Sequence, residues 1–214
     1  MIENPKIIKS VKIILGILYL VGIVGFSFDE TYPIFVSLTS FNLLLTTILL
    51  FVFHQQWTFK AGIIFLTIGL LGFLAEMIGV NTQLLFGQYT YGRALGFQLN
   101  NTPLLIGANW LLLSYCIFAL LGSINHRWFF PFLGALLMVG FDFVMEPVAT
   151  ALKMWEWQTE QIPLKNYLDW YLVSLFVFSL MRAGKLQVEN KLAIWILFLQ
   201  LAFFLSLNLT LNLI

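Results

Sequence analysis

"FFPFLGALLMVGFDFVMEPV", residues 129 to 148, is apolar along almost its whole length, yet carries Asp142 and Glu146 four residues apart. A stretch of this length is what an α-helix needs to cross about 30 Å of hydrocarbon at 1.5 Å per residue. A carboxylate costs little in water and several kcal/mol in hydrocarbon, so the reading of this stretch turns on which solvent surrounds it. Composition decides the question. Only 10% of the 214 residues are charged, 22 are Phe and the mean hydropathy is +0.92. A soluble globule of that size carries about 25% charge, so the chain has too little polar surface to clothe itself and reads as an integral membrane protein.

Working outward from that stretch, apolar runs of spanning length lie at roughly 11–28, 34–53, 60–78, 103–122, 129–148, 168–183 and 191–213. The expected fold class is all-α: a polytopic integral membrane helix bundle of about seven transmembrane helices, with residues 1–214 forming a single transmembrane helical domain. The Lys-rich amino terminus is followed by no small-residue cleavage site, and Phe26 to Glu30 is bulky and charged, so the first run reads as an uncleaved helix. Lys6, Lys9, Lys12, Lys60, Arg127, Arg182, Lys185 and Lys191 fall on one side of this threading, and only Arg93, Lys153 and Lys165 on the other. The positive-inside rule therefore puts the amino terminus in the cytoplasm, and the charge bias with a lone cysteine fits a bacterial inner membrane. Trp57, Trp128 and Trp195 are expected at the inner interface, and Trp155, Trp157, Trp170, Tyr167 and Tyr171 at the outer one. A net charge of +1 without a basic stripe excludes a nucleic-acid partner, and Cys116 alone makes no intrachain disulfide.

Two connections are long. Residues 79–102 and 149–167 are rich in aromatic residues and Gly rather than Ser and Lys, which predicts ordered lids on the outer side. Pro147 lacks an N–H and disfavours helical geometry at Glu146, so the fifth helix is expected to kink or end there, with Glu146 at its mouth and Asp142 one turn deeper.

Residues four apart share a helix face, which aims Asp142 and Glu146 into one space. Glu76 near the outer end of the third span, Asn109 inside the fourth and Asp169 at the start of the sixth lie at similar depth. Each also has a structural reading: Asp169 as a helix-start residue, Asn109 as interhelical glue, the acids as hydrogen-bonding partners between helices. Other chemistries lack their residues. His54 and His126 fall at the inner face, away from the acids, and a retinal Schiff base would require a Lys within a span, whereas the seventh has Lys191 only at its inner edge. Phosphate loops, nucleophile elbows and Cys–His pairs are absent from the sequence. DFVME resembles half of a membrane prenyltransferase signature, but no second Asp-rich motif follows. What remains is acid and base chemistry by carboxyls among aromatics, with no metal and no cofactor. Two carboxyls in a desolvated site can divide the work: one holds a proton to deliver to an alkene, while an ionised partner and aromatic faces stabilise the cation.

The segments FGQYTYGRALGFQL at 86–99, TPLLIGANW at 102–110, DFVMEP at 142–147, WEW at 155–157 and IPLKNYLDW at 162–170 resemble, in order, the membrane-bound carotenoid biosynthesis proteins of the CruF type. That family hydrates acyclic carotenoid ends, as in gamma-carotene and bisanhydrobacterioruberin hydratases. The resemblance implies that Asp142 or Glu146 protonates the terminal isopropylidene double bond, and that Glu76 or the other acid of the pair guides water onto the tertiary cation. It also implies a substrate- and water-binding set of Asn109, Tyr89, Tyr91, Asn166 and Asp169, with Trp110, Trp155 and Trp157 shielding the cation. The implied partners are a lipid-soluble carotenoid, water and membrane lipids, with other carotenoid enzymes as candidate associates. An end-group cyclase or isomerase would share the first proton transfer. A proton-coupled transporter or a non-catalytic carotenoid-binding protein would use buried acids differently.

Overall fold

The computed structural model describes residues 4–122, 129–159 and 161–213; His126, Arg127 and Trp128 lie outside the described residues. Seven helices are found among them: α1 (Pro5–Phe26), α2 (Tyr32–Val52), α3 (Phe59–Thr82), α4 (Leu104–Leu121), α5 (Phe130–Ala151), α6 (Leu164–Ala183) and α7 (Ala193–Thr210). All but α6 are long and apolar enough to cross a membrane. α6 has 20 residues but carries Lys165, Asp169 and Arg182. The protein is a polytopic helical membrane bundle, as its composition requires.

Local chemistry sets several boundaries away from the apolar runs. α1 starts at Pro5 because the Asn4 side chain accepts the Lys6 N–H at 2.9 Å, which draws the Lys-rich segment into the helix. Thr58 caps α3 in the same way through the Ala61 N–H, and α3 runs on to Thr82 before Gln83 adopts a left-handed conformation, φ 60°. α5 does not end at Pro147, one of the two outcomes that the sequence allowed. It continues for another turn to Ala151, so Glu146 lies within the helix rather than at its mouth. A proline removes one N–H and leaves the following turn intact when packing holds it. Here Asn208 of α7 donates to the Val144 carbonyl at 2.7 Å, fastening α5 beside the proline.

α4 occupies the middle, packing against α2, α3, α5, α6 and α7, while α1 and α2 are the least buried. The most extensive pairs are α5 with α6 and α3 with α4. In the α3–α4 seam a Cβ on Gly107 would meet the Gly69 carbonyl oxygen at 2.5 Å, and one on Gly72 would overlap the Trp110 side chain. Small residues let these backbones approach, as in other membrane helix pairs, and the approach brings Glu76 and Trp110 side by side.

The two long connections fold into short ribbons that cap one end of the bundle. β1 (Tyr89–Tyr91) pairs antiparallel with β4 (Trp155–Trp157), and β2 (Gln98–Leu99) with β3 (Thr102–Pro103). The lids are thus ordered, but through strand pairing that an all-helical reading does not contain. The partner of each strand in the first ribbon lies in the other connection, beyond the reach of local sequence pattern. Trp155 and Trp170, assigned above to the interfacial belt, are buried instead.

Replacing Gly107 by Val is expected to wedge α3 from α4 and destabilise the purified protein by about 1–3 kcal/mol, read as a lower melting temperature in detergent. Gly62→Val, where an added Cβ meets nothing within 4 Å, is the control and should leave the melting temperature nearly unchanged.

Candidate active site

Three acids are buried under the β1–β4 ribbon: Glu76 from α3, and Asp142 and Glu146 from α5. The ribbon's register is Tyr89 opposite Trp157, Thr90 opposite Glu156 and Tyr91 opposite Trp155. Side chains alternate across a strand, so the four aromatics share one face while Thr90 and Glu156 are exposed on the other. That face meets the acids. Tyr89 and Tyr91 donate their hydroxyls to Glu76 Oε2 at 2.5 and 2.7 Å. Trp155 and Trp157 donate their indole N–H groups to Glu146 Oε2 at 3.0 and 2.9 Å. Trp110 of α4 adds a bond to Glu76 Oε1 at 3.0 Å and stacks on Trp170, ring centroids 4.1 Å apart. Burial, followed by the neighbouring Glu76 charge, pushes the Tyr89 and Tyr91 phenols well above their ordinary range, so both remain hydroxyl donors at any physiological pH.

Asn166, near the start of α6, joins the α5 pair. Its Nδ2 donates to Asp142 Oδ2 at 2.7 Å and lies 3.3 Å from Glu146 Oε1. Asp142 Oδ1 is buried with no hydrogen-bond partner among the described residues. Asp169 does not open its helix, since α6 begins at Leu164. It accepts the Phe86 N–H at 2.7 Å and the Lys165 ammonium at 2.6 Å, so it tethers the lid segment that leads into β1.

Three spaces meet here. A small pocket of about 10 Å³ is lined by Glu76, Glu146, Tyr89, Tyr91, Ile106, Trp155, Trp157, Asn166 and Trp170. It has room for about one water. Beside it is an apolar cavity of about 290 Å³ walled by α1, α2, α4, α7, Met145 of α5 and the lid, and Ile106 and Trp155 line both. Its wall includes Val21, Leu38 and Phe41, which are also exposed on the outside of α1 and α2, so the cavity opens sideways toward lipid. On the lid surface a groove lined by Arg93, Lys153, Glu156 and Thr90 reaches Tyr91, which also lines the small pocket.

Of the residues singled out from sequence, Glu76, Glu146, Tyr89, Tyr91, Trp155, Trp157 and Asn166 share the small pocket, and Trp110 touches it through Glu76. Asn109 lines the apolar cavity instead, and Asp142 lines neither space. Trp170 and Ile106 were missed as pocket residues; Trp170 stands four residues after Asn166, on the same helix face, which is the signal available in the sequence. His54 lies at the opposite end of the bundle, buried against Tyr115 with Nδ1 2.7 Å from the phenol oxygen, and burial lowers its pKa.

The family described as carotenoid biosynthesis protein matches residues 11–214. The chain belongs to this family. A curated relative, the bisanhydrobacterioruberin hydratase of Haloarcula japonica, is 31% identical over 144 residues, 58% of this chain and 47% of the relative. The chain thus aligns with about half the length of that relative. No solved structure matches.

Asp169→Ala is expected to leave the buried Phe86 N–H without its acceptor, at a cost of about 1–3 kcal/mol. Amide exchange at Phe86 through Tyr91 should accelerate, while exchange in the middle of α4 stays slow.

Proposed function

We propose that this protein is a carotenoid hydratase that adds water across the terminal isopropylidene double bond of an acyclic carotenoid end. The observation that carries the reading is a pair of facing carboxyls, Glu76 and Glu146, around a one-water pocket that adjoins an apolar cavity open to lipid. Family membership and the hydratase name of the relative support it.

The shared walls suggest the division of labour. A polyene coming from the membrane reaches the pocket past Ile106 and Trp155, and Trp155 is bonded to Glu146. Glu146 is therefore the acid. Its Oε2 is occupied by two indole donors, while Oε1 has only the 3.3 Å contact with Asn166 and is free to carry the proton. Transfer of that proton to the chain-side carbon of the double bond leaves a tertiary cation on the dimethyl carbon. The faces of the neighbouring aromatic rings stabilise it.

Water comes from the other side, through the groove that meets Tyr91. Glu76, with three donors on its two oxygens, is suited to stay ionised; it orients the water and takes its proton as the C–O bond forms. Glu76 then releases its proton to solvent as Glu146 regains one, which restores both acids, and the product is a tertiary alcohol heavier than the substrate by one water. The step changes no overall oxidation level, so it calls for no redox cofactor. Asp142 touches neither the pocket nor the cavity; it is a positioning residue that holds Asn166 against Glu146.

Expression in bacteria that make lycopene or gamma-carotene, with pigments read by chromatography and mass spectrometry, tests this directly. The wild-type chain should yield pigment heavier by one water. Glu146→Gln and Glu76→Gln should each lower the yield at least 100-fold, and Asp142→Asn by a smaller factor. A new pigment of unchanged mass would replace hydration by cyclisation or isomerisation. Equal hydration by wild type and both Gln variants would remove the carboxyls from the mechanism.

A further inference from the structure

The apolar cavity contains polar groups that the acid-site chemistry does not use. Tyr19 of α1 is buried in its wall, which it shares with Asn42 of α2 and Gln200 of α7. Gln200 is only 7% exposed and its Oε1 has no hydrogen-bond partner among the described residues; the same holds for the buried Thr46 Oγ1. The rest of the wall is largely hydrocarbon, including Leu18, Phe26, Phe203 and Phe204. Unpaired polar groups in such surroundings are costly and mark a ligand rather than packing.

Depth along the bundle separates this cluster from the acids. Asn208 of α7, bonded to the Val144 carbonyl, is level with the turn of α5 just before Glu146, and Gln200 lies eight residues deeper along α7. At 1.5 Å per residue the cluster sits about 15 Å deeper than Glu146. Asn109, in the same cavity wall, neighbours Trp110, which is bonded to Glu76, and so continues the polar surface toward the pocket. A cavity that opens to lipid is filled by an apolar chain rather than by bulk water. The oxygen that pairs with these groups must therefore be carried on that chain.

We propose that Tyr19, Asn42 and Gln200 form a hydroxyl-binding subsite in the lipid-side cavity, which takes the alcohol oxygen of a hydrated polyene end as it withdraws from the acid pocket. This rests on the hydratase reading for the origin of the alcohol. The subsite gives the new hydroxyl hydrogen-bond partners on a path that otherwise strips it of water, and it discriminates an alcohol from the parent hydrocarbon.

The test is a binding measurement that needs no turnover. The full chain in detergent is titrated with an acyclic C40 polyene hydrocarbon and, separately, with its terminal tertiary alcohol, and dissociation constants are read from tryptophan quenching. Hydrogen bonds to an otherwise unpaired hydroxyl predict a preference for the alcohol of about tenfold. Tyr19→Phe, which removes the hydroxyl and keeps the ring, should reduce that preference to about threefold, and the Asn42→Leu/Gln200→Leu pair should abolish it. Equal binding of alcohol and hydrocarbon by wild type would overturn the subsite, as would a preference that survives in both variants. Hydration without the preference would sink the subsite alone; the preference without hydration would sink the hydratase reading alone.

Discussion

Two carboxylates held within membrane-spanning helices need hydrogen-bond donors, because hydrocarbon supplies none and each unsatisfied group costs several kcal/mol. The β1–β4 ribbon supplies them. Its alternation puts two phenols and two indoles on one face, and the register delivers the phenols to Glu76 and the indoles to Glu146. The rest of the architecture follows from seating that ribbon. Close packing of α3 on α4 brings Trp110 to Glu76, α6 brings Asn166 to the α5 acids, and Asp169 pins the segment that enters β1. The donors are chemically selective as well. An indole N–H can donate but not accept, so Trp155 and Trp157 fix one oxygen of Glu146 as an acceptor and, in the proposed mechanism, leave the other for proton chemistry.

The second constraint is that the two proposed reactants come from different solvents. The large cavity is apolar and opens between the least buried helices, α1 and α2, whereas the lid groove is lined by Arg93, Lys153 and Glu156. Ile106 and Trp155 mark the boundary on the lipid side and Tyr91 marks it on the aqueous side. In the proposed mechanism each acid then works beside the route its reactant uses, which keeps bulk water from the cation.

Much of this was legible in the sequence. Apolar runs separated by charged connections give the helices, and intramembrane acids give the site, because both signals are set by hydrocarbon and need no partner to be recognised. Glu76, Glu146, Tyr89, Tyr91, Trp155 and Trp157 could be grouped by depth and by family resemblance before their contacts were known. The pairing of β1 with β4 could not, since it joins segments more than 60 residues apart through three-residue strands. Depth along a helix does not fix azimuth between helices. That is why Asn109 turned out to face the apolar cavity and Asp142 to stand behind Asn166, and why Tyr19, Asn42 and Gln200, polar residues on three different spans, gave no signal as a group. Pro147 misled for a related reason: a proline breaks helices in water more readily than in a packed membrane bundle, where Asn208 braces the neighbouring turn.

The most direct test of the central claim is isotopic. Membranes containing the protein would be incubated with an acyclic carotenoid in water enriched in oxygen-18 and deuterium, and the product read by mass spectrometry. The account predicts one oxygen-18 and one non-exchangeable deuterium for each hydrated end, the deuterium on the carbon beside the new alcohol. A product carrying deuterium but no oxygen-18 would mean that the cation closes or loses a proton instead of meeting water, and would contradict the assignment of Glu76 to a water molecule.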